Sequence, residues 1–487
     1  MLTALLFRRR AHSSQPFKER HPHRYFPQLP LELWIRIIRE ASAMAPDPLD
    51  ITNGVTFLES SPCKLHAYRV SIQMKHNFSL VSKLWNRFTQ EVLYEFVWIS
   101  RASQAKALAL TLLSQECVRH IRSSGMYIRR LHIETPTLER CAPDDLRTIL
   151  DYSPRLLVYS DHFSVRRSRY QEACDNRSSP QQLFQALTHP NNHLRRLSWT
   201  NYDNVSFHPH MSPMLKTTAA HLEYLELSLC SPNFPPHLTA ETNLSPSHLS
   251  VAIALPTLRS LKVTLDNGTF ADLASWEMPQ LANLSVVSSD FSYAGAGFQR
   301  FFSVHGPKLV QLELGHSSST IEEHYLTMPS THQQPIPLAD WCPNLREFIC
   351  SADAEWNWQN PDWIAPHILL PTHPKLELIG IRDIDKRLLD DASVVPSAPL
   401  WDHAPFFPLL EQLSSLLRTQ AFPSLRYIRD LSETSDAMRR QPQLRVIKFW
   451  TKLLLRCQER QVWLEDCNGV NVTSRDLMRA SRNCLTS

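Results

Sequence analysis

Few residues in this chain have a type and spacing that could support catalysis or metal binding. His132-Ile133-Glu134 has the His-x-Glu spacing of a zinc deaminase, but no Pro-Cys-x-x-Cys segment follows to supply the other ligands. His21 and His23 form a short tract of a kind that is usually solvated. Gly295-Ala296-Gly297 lacks the third glycine of a dinucleotide loop, and no phosphate loop or Gly-x-Ser-x-Gly elbow occurs. The sequence therefore predicts a protein that is not an enzyme and needs no metal or cofactor.

The cysteines and the charge balance narrow the class of protein further. The ten cysteines include no Cys-x-x-Cys pair, so their spacing fits no zinc ribbon or finger. A disulfide framework is not expected in so long a chain, and reduced, mostly buried thiols predict a cytoplasmic or nuclear location. Lys and Arg number 51 against 47 Asp and Glu, a net charge of +4. That balance argues against nucleic acid or a membrane surface as the main partner.

Two amphipathic segments near the start must be helices. The first runs from Leu29 to Ile38, and Pro30 suits a first helical position because that N–H has no partner. Apolar residues then recur at helical spacing and form a wide stripe. Asn77 is a plausible cap for the second helix, whose stripe begins at Leu80 and Val81. Such stripes commonly cover a protein's own core, so periodicity alone does not separate packing from docking.

The order of these residues resembles the F-box family. Leu-Pro-x-Glu-Leu-x-x-x-Ile-Ile, followed later by Leu-Val-Ser-Lys-x-Trp, is similar to the two anchor motifs of that three-helix module. The resemblance implies docking onto a Skp-family adaptor and, through it, a cullin-RING ubiquitin ligase. It covers about one seventh of the chain. The adaptor-binding residues that it implies, with Trp34 beside them, are Leu29, Pro30, Leu33, Trp34, Ile37, Ile38, Leu80, Val81 and Trp85.

The chain departs from the F-box pattern by an insertion at 44–76. Its prolines and glycine predict a loop, and long surface loops cost little free energy. Around it we predict a disordered basic tail at 1–25, an F-box-like helical module at 26–100, and a third region at 101–487. The run from Val92 to Ile99 resembles the exit of the module into a first strand.

The third region repeats the pattern Leu-x-x-Leu-x-Leu, in most copies after a proline. Copies begin at residues 128, 194, 222, 258, 281, 309, 345, 376 and 444. Leucine-rich repeats run at roughly 20–29 residues with one strand per unit, so the longer intervals require inserted loops. The fold class is therefore predicted to be α/β, a small helical module followed by an irregular leucine-rich-repeat solenoid. A leucine-rich α/β domain without repeats is the alternative; the prolines argue against a purely helical stack.

In each predicted strand, the neighbours of the buried residues point to the opposite face of the sheet. That face is predicted to be open, of mixed charge, and suited to a protein partner. The loops after residues 228, 314 and 350 would rim it. The predicted substrate-binding residues are Tyr224, Glu226, Ser228, Lys262, Thr264, Ser285, Gln311 and Glu313.

These features predict the substrate-recognition subunit of a Skp–cullin–F-box type ubiquitin ligase. The module would bind the adaptor, and the solenoid would bind a protein substrate whose identity the sequence does not specify. The alternative is a leucine-rich scaffold without a ligase link, in which the two helices only cap the solenoid, since such stacks need terminal caps.

Overall fold

The structure is a computed structural model. It describes residues 29–44, 47–52, 54–58, 65–117, 123–136, 139–162, 193–199, 219–228, 253–265, 273–288, 296–316, 338–352, 372–390, 406–440 and 444–486, with single positions at 183, 186, 187 and 215. The predicted basic tail lies outside them, and so does most of the rim loops predicted after residues 228, 314 and 350, which are not described from residues 229, 317 and 353 onward. The described residues contain no helix long and apolar enough to cross a membrane.

The chain forms two compact units. The first is Met1–Thr52 with Pro62–Asn201, and the second is Asn53–Ser61 with Tyr202–Ser487. The first unit contains helices α1 Leu31–Ala41, α2 Leu65–Val81, α3 Lys83–Glu95, α4 Ala102–Glu116 and α5 Pro143–Asp151, and strands β1 Phe96–Ile99, β2 Arg130–Glu134, β3 Val158–His162 and β4 Arg196–Trp199.

Helices α1–α3 form the head of the first unit. Helix α1 starts one residue after Pro30, with Glu32 in its first turn and Arg39 in its last, as the helix dipole favours. The expected cap of the second amphipathic helix is wrong. Asn77 lies inside α2, and Ser82 caps α3 instead, its hydroxyl accepting from the Trp85 amide.

The predicted loop at 44–76 is also corrected, because helix α2 begins at Leu65. The buried face of α2 carries Ser71, Lys75 and Ser79 rather than aliphatic residues. This spacing of small and polar residues produces no hydrophobic periodicity, so the sequence pattern could not reveal the helix.

The strands of the first unit are parallel and pair in chain order from β1 to β4. The predicted strand at the exit of the head is confirmed as β1. Strand β3 was not predicted, because Asp161 occupies the inward position where the repeat pattern requires an aliphatic residue. Asp161 is fully buried and accepts a hydrogen bond from the Tyr159 hydroxyl at 3.0 Å.

The second unit has the same kind of architecture. Its strands are β5 Tyr224–Ser228, β6 Ser260–Leu265, β7 Asn283–Ser288, β8 Gln311–His316, β9 Glu347–Ser351, β10 Leu378–Arg382, β11 Tyr427–Asp430 and β12 Trp463–Glu465. Its helices are α6 Ala296–His305, α7 Leu338–Trp341, α8 Ile384–Asp390, α9 Phe407–Ser415, α10 Glu433–Arg440, α11 Leu444–Glu459 and α12 Ser474–Thr486. The strands pair in chain order and in parallel.

The core of the second unit is a ladder of aliphatic residues. Leu225, Leu261, Leu284 and Leu312 are register partners on successive strands, and each is fully buried. The predicted fold class is confirmed: an α/β protein with a helical N-terminal module followed by an irregular leucine-rich-repeat solenoid.

The prediction of a repeat that begins at residue 444 is wrong. Residues 444–459 form helix α11, and the strand of that region is β11 instead. The position that corresponds to the last leucine of the repeat pattern holds Asp430 in β11. This buried carboxylate accepts a hydrogen bond from Arg439 Nη1 at 2.7 Å. Burial raises the pKa of Asp430, although the Arg439 charge and the Ser432 hydrogen bonds oppose that shift.

Candidate functional sites

The head exposes an apolar patch that its own packing leaves uncovered. We define the patch by five side chains with large exposed fractions: Leu33 44%, Ile37 47%, Leu80 64%, Val81 60% and Leu84 57%. They come from α1, from the end of α2 and from the start of α3. Soluble monomers rarely expose large contiguous apolar patches, and such patches mark interaction sites.

Aromatic contacts hold the three helices together beside this patch. The rings of Trp34 and Trp85 lie 5.3 Å apart between their centroids, and Phe78 lies 5.9 Å from Trp85. Leu33 directly precedes one tryptophan and Leu84 the other. The tryptophans therefore bring the exposed residues of α1 into the neighbourhood of the α2–α3 junction.

The other predicted adaptor-binding residues differ in their solvent exposure. Pro30 is exposed, while Leu29, Trp34 and Trp85 are half-buried. Ile38 is buried in the head and presents no surface. Whether any of them contacts an adaptor stays a prediction.

Polar contacts fix the helices that carry the patch. Both carboxylate oxygens of the buried Glu95 in α3 accept hydrogen bonds from the Arg39 guanidinium of α1. The Ser71 hydroxyl of α2 donates to the Ser42 carbonyl at 2.7 Å. These contacts tie α1 to α3 and the end of α1 to α2, the three helices that carry the patch.

The second site is the polar face of the sheet in the second unit. Its first row holds the register partners Tyr224, Ser260, Asn283, Gln311, Glu347 and Leu378. Its second row, two residues further along each strand, holds Glu226, Lys262, Ser285, Glu313, Ile349 and Gly380. Most of the predicted substrate-binding residues belong to these two rows; the side chains of Ser228 and Thr264 are not among those described.

The expectation that this face is open to solvent is wrong. Tyr224, Ser285, Gln311 and Glu313 are buried, while Glu226 and Lys262 are partly exposed. The reason is a covering segment, residues 54–58, which comes from the insertion and lies on the polar face. The role of these residues in substrate binding stays a prediction.

The covering segment is held mostly through its main chain, with one side-chain hydrogen bond, from Gln311 Nε2 to Thr56 Oγ1 at 2.8 Å. The Val55 carbonyl accepts hydrogen bonds from Ser260 Oγ at 2.7 Å and from Asn283 Nδ2 at 2.8 Å. The Phe57 amide donates to Gln311 Oε1 at 2.7 Å, and the Phe57 carbonyl accepts from Arg382 Nη2 at 2.5 Å. The donors and acceptors on the sheet are side chains of β6, β7, β8 and β10.

The covering segment also buries two apolar side chains. Phe57 and Leu58 form one cluster with Tyr224, Ile349, Leu378 and Leu431. Gly380 makes room for the Leu58 side chain, since a Cβ at position 380 would lie 3.1 Å from Leu58 Cδ2 and 2.8 Å from Leu431 Cδ1. Strand β10 therefore has a recess at Gly380, the position in the second row that has no side chain.

The sequence reasoning missed the covering segment and its partners Gly380, Arg382 and Leu431. Val55-Thr56-Phe57-Leu58 is a short apolar run inside a proline-marked insertion, and that run was the available signal. Which surface it would cover has no local signature.

The described residues do not suggest metal or thiolate chemistry. They contain no group of three or more His, Cys, Asp or Glu side chains that could hold a metal ion. Cys141, Cys350 and Cys457 form no disulfide, and burial raises the pKa of each of these thiols to about 12. Such thiols remain protonated and unreactive at neutral pH.

Comparisons with known proteins give weak likenesses. No protein-family model and no curated protein matches the chain. Among solved structures, it is similar to the leucine-rich repeat-containing protein LegL7 from Legionella pneumophila, with TM-score 0.32 and 12% identity, covering 82% of this chain and 94% of that one. A protein from Bacteroides fragilis gives TM-score 0.31 and 11% identity, covering 84% and 85%. The Rad7 and Elc1 complex of yeast gives TM-score 0.25 and 11% identity, covering 76% and 94%. TM-scores this low carry no argument, so the fold rests on the strand register.

Proposed function

We propose that this protein is the substrate-recognition subunit of a Skp–cullin–F-box type ubiquitin ligase. The head binds a Skp-family adaptor, which links it to the cullin-RING ligase, and the repeat sheet binds a protein substrate. The observation that carries this proposal is the exposed apolar patch on the head. Its Leu33, Ile37, Leu80 and Val81 are residues that the F-box resemblance assigns to adaptor binding.

The alternative, a scaffold whose helices only cap the repeat sheet, fits the patch less well. A terminal cap keeps a repeat stack soluble by turning a polar face outward. The head instead turns leucine, isoleucine and valine outward on all three helices. An uncovered apolar surface of this kind is better explained by a partner that buries it.

In this proposal the protein performs no chemistry. Its contribution is to hold a substrate close to the transferring enzyme, which raises the effective concentration of one for the other. The sheet suits a protein substrate because its polar face mixes charges: Lys262 pairs with Glu226 at 2.9 Å, and Arg382 pairs with Glu313. Such a face lacks the excess of positive charge that a phosphate backbone requires.

The decisive experiment is a calorimetric titration of the full chain with a purified Skp-family adaptor. We expect saturable binding with one adaptor per chain. If the folded chain takes up no adaptor, the ligase role is refuted and the scaffold alternative replaces it.

A further inference from the structure

The covering segment contacts the polar face as a bound peptide would. The sheet recognises the Val55 carbonyl, the Phe57 amide and the Phe57 carbonyl, all of which are main-chain groups. Every residue type except proline offers the same groups. These three hydrogen bonds therefore do not depend on side-chain identity, whereas a fourth, donated by Gln311 Nε2 to Thr56 Oγ1 at 2.8 Å, does.

The apolar part of the contact does select side chains. Phe57 and Leu58 are both buried against the face, and the recess at Gly380 receives the leucine. Large aromatic and aliphatic anchors in fitted pockets dominate the energetics of protein interfaces. An occupant of this face should therefore carry an aromatic residue followed by a leucine-sized one.

The covering segment does not use everything that the face offers. The Ser285 hydroxyl in the second row is buried and has no hydrogen-bond partner among the described residues. A buried hydroxyl without a partner is costly. An occupant that reaches Ser285 would therefore gain a contact that residues 54–58 do not make.

Resting on the proposed function, we propose that the polar face binds its protein substrate through a short segment with adjacent aromatic and aliphatic residues. Residues 54–58 occupy the same place in cis until such a segment displaces them. The apparent affinity for a substrate is then reduced in proportion to the small fraction of molecules whose face is open.

The probe is a fluorescein-labelled peptide of residues 53–61, Asn-Gly-Val-Thr-Phe-Leu-Glu-Ser-Ser. We compare its binding, by fluorescence anisotropy, to the full wild-type chain and to a chain with Phe57→Ala and Leu58→Ala. The double variant should bind the peptide at least tenfold more tightly, because its own segment has lost the apolar anchors. A peptide with both positions changed to aspartate is the matched control and should bind neither chain.

Two further substitutions in the double variant test the proposed contacts. Gly380→Val fills the recess, and Asn283→Ala removes a donor to the main-chain carbonyl; each should reduce peptide binding at least tenfold. The proposal is overturned if the double variant binds no better than wild type. It is also overturned if that variant loses its cooperative unfolding transition, since the segment would then be part of the core.

The adaptor titration separates this inference from the proposed function. Unchanged adaptor binding by the double variant, without any gain in peptide binding, refutes only the inference. Peptide binding without adaptor binding by any chain refutes the ligase role and leaves the peptide site standing.

Discussion

Replacing Ile37 and Val81 by aspartate should abolish adaptor binding without unfolding the head. The two side chains lie on different helices, and 47% and 60% of their surfaces are exposed. Substitutions at such exposed positions usually change the free energy of unfolding by less than about 0.5 kcal/mol. The variant should therefore melt within a few degrees of the wild-type protein.

The expected loss of affinity follows from the exposed fractions. Fully burying a side chain of this size is worth about 1.5–3 kcal/mol, so covering the half that remains exposed is worth about 1 kcal/mol. The double substitution removes about 2 kcal/mol. It also leaves two carboxylates buried without partners, at a cost of at least about 1 kcal/mol each. The sum is about 4 kcal/mol, or a roughly thousandfold rise in Kd.

The assay is calorimetric titration with a purified Skp-family adaptor, combined with thermal melting of each variant. Leu110→Asp is the matched control, because Leu110 is a 56% exposed leucine on α4, outside the patch. It should bind the adaptor as the wild type does. Unchanged affinity of the double variant, or an equal loss in Leu110→Asp, would refute the assignment of the patch.

Three further predictions concern stability and are checked by urea denaturation. Leu261→Ala should lower the free energy of unfolding by about 2–5 kcal/mol, because Leu261 is fully buried in the ladder; a change below about 1 kcal/mol would contradict the core assignment. Arg439→Met should cost about 3–5 kcal/mol at pH 7, because it leaves the Asp430 carboxylate buried without its cation. Burial raises the pKa of Asp430, so protonation should reduce that loss at pH 4; an equal loss at both pH values would contradict the pairing. Burial and the nearby Lys308 lower the pKa of His305 to about 4, against about 6.5 in the unfolded chain. As the pH falls, the unfolded chain therefore binds the proton first, and the free energy of unfolding should fall by about 3 kcal/mol between pH 6.5 and pH 4. His305→Gln should flatten that slope, and an unchanged slope would exclude His305 as its cause.

Part of the fold could be read from local patterns. The alternation Leu-x-Leu identifies a strand because successive side chains point to opposite faces, and it found β5 to β10 with the correct inward residues. It failed at β3 and β11, where the inward aspartates Asp161 and Asp430 are satisfied by partners that the pattern does not include. It also failed at 444–459, which form helix α11: Ile447 and Phe449 are buried there, while Leu444 is 42% exposed.

For the candidate sites, too, local sequence determined some properties and tertiary packing determined others. The sequence by itself determined which residues of the head are apolar and which strand residues point away from the core. Only the tertiary structure decided that Ile38 is buried while Leu33 and Ile37 stay exposed, because burial depends on how α1 packs against its neighbours.

The burial of the polar face shows most clearly what local sequence patterns cannot predict. Its residues were predicted correctly as neighbours across the strands, but their exposure was not. The hydrogen bonds that cover the face join residues 205 to 325 positions apart in the chain. Contacts over such separations leave no periodic signal, because periodicity reflects only the geometry of a single helix or strand. The sequence therefore determined the face, and only the tertiary structure decided that residues 54–58 occupy it.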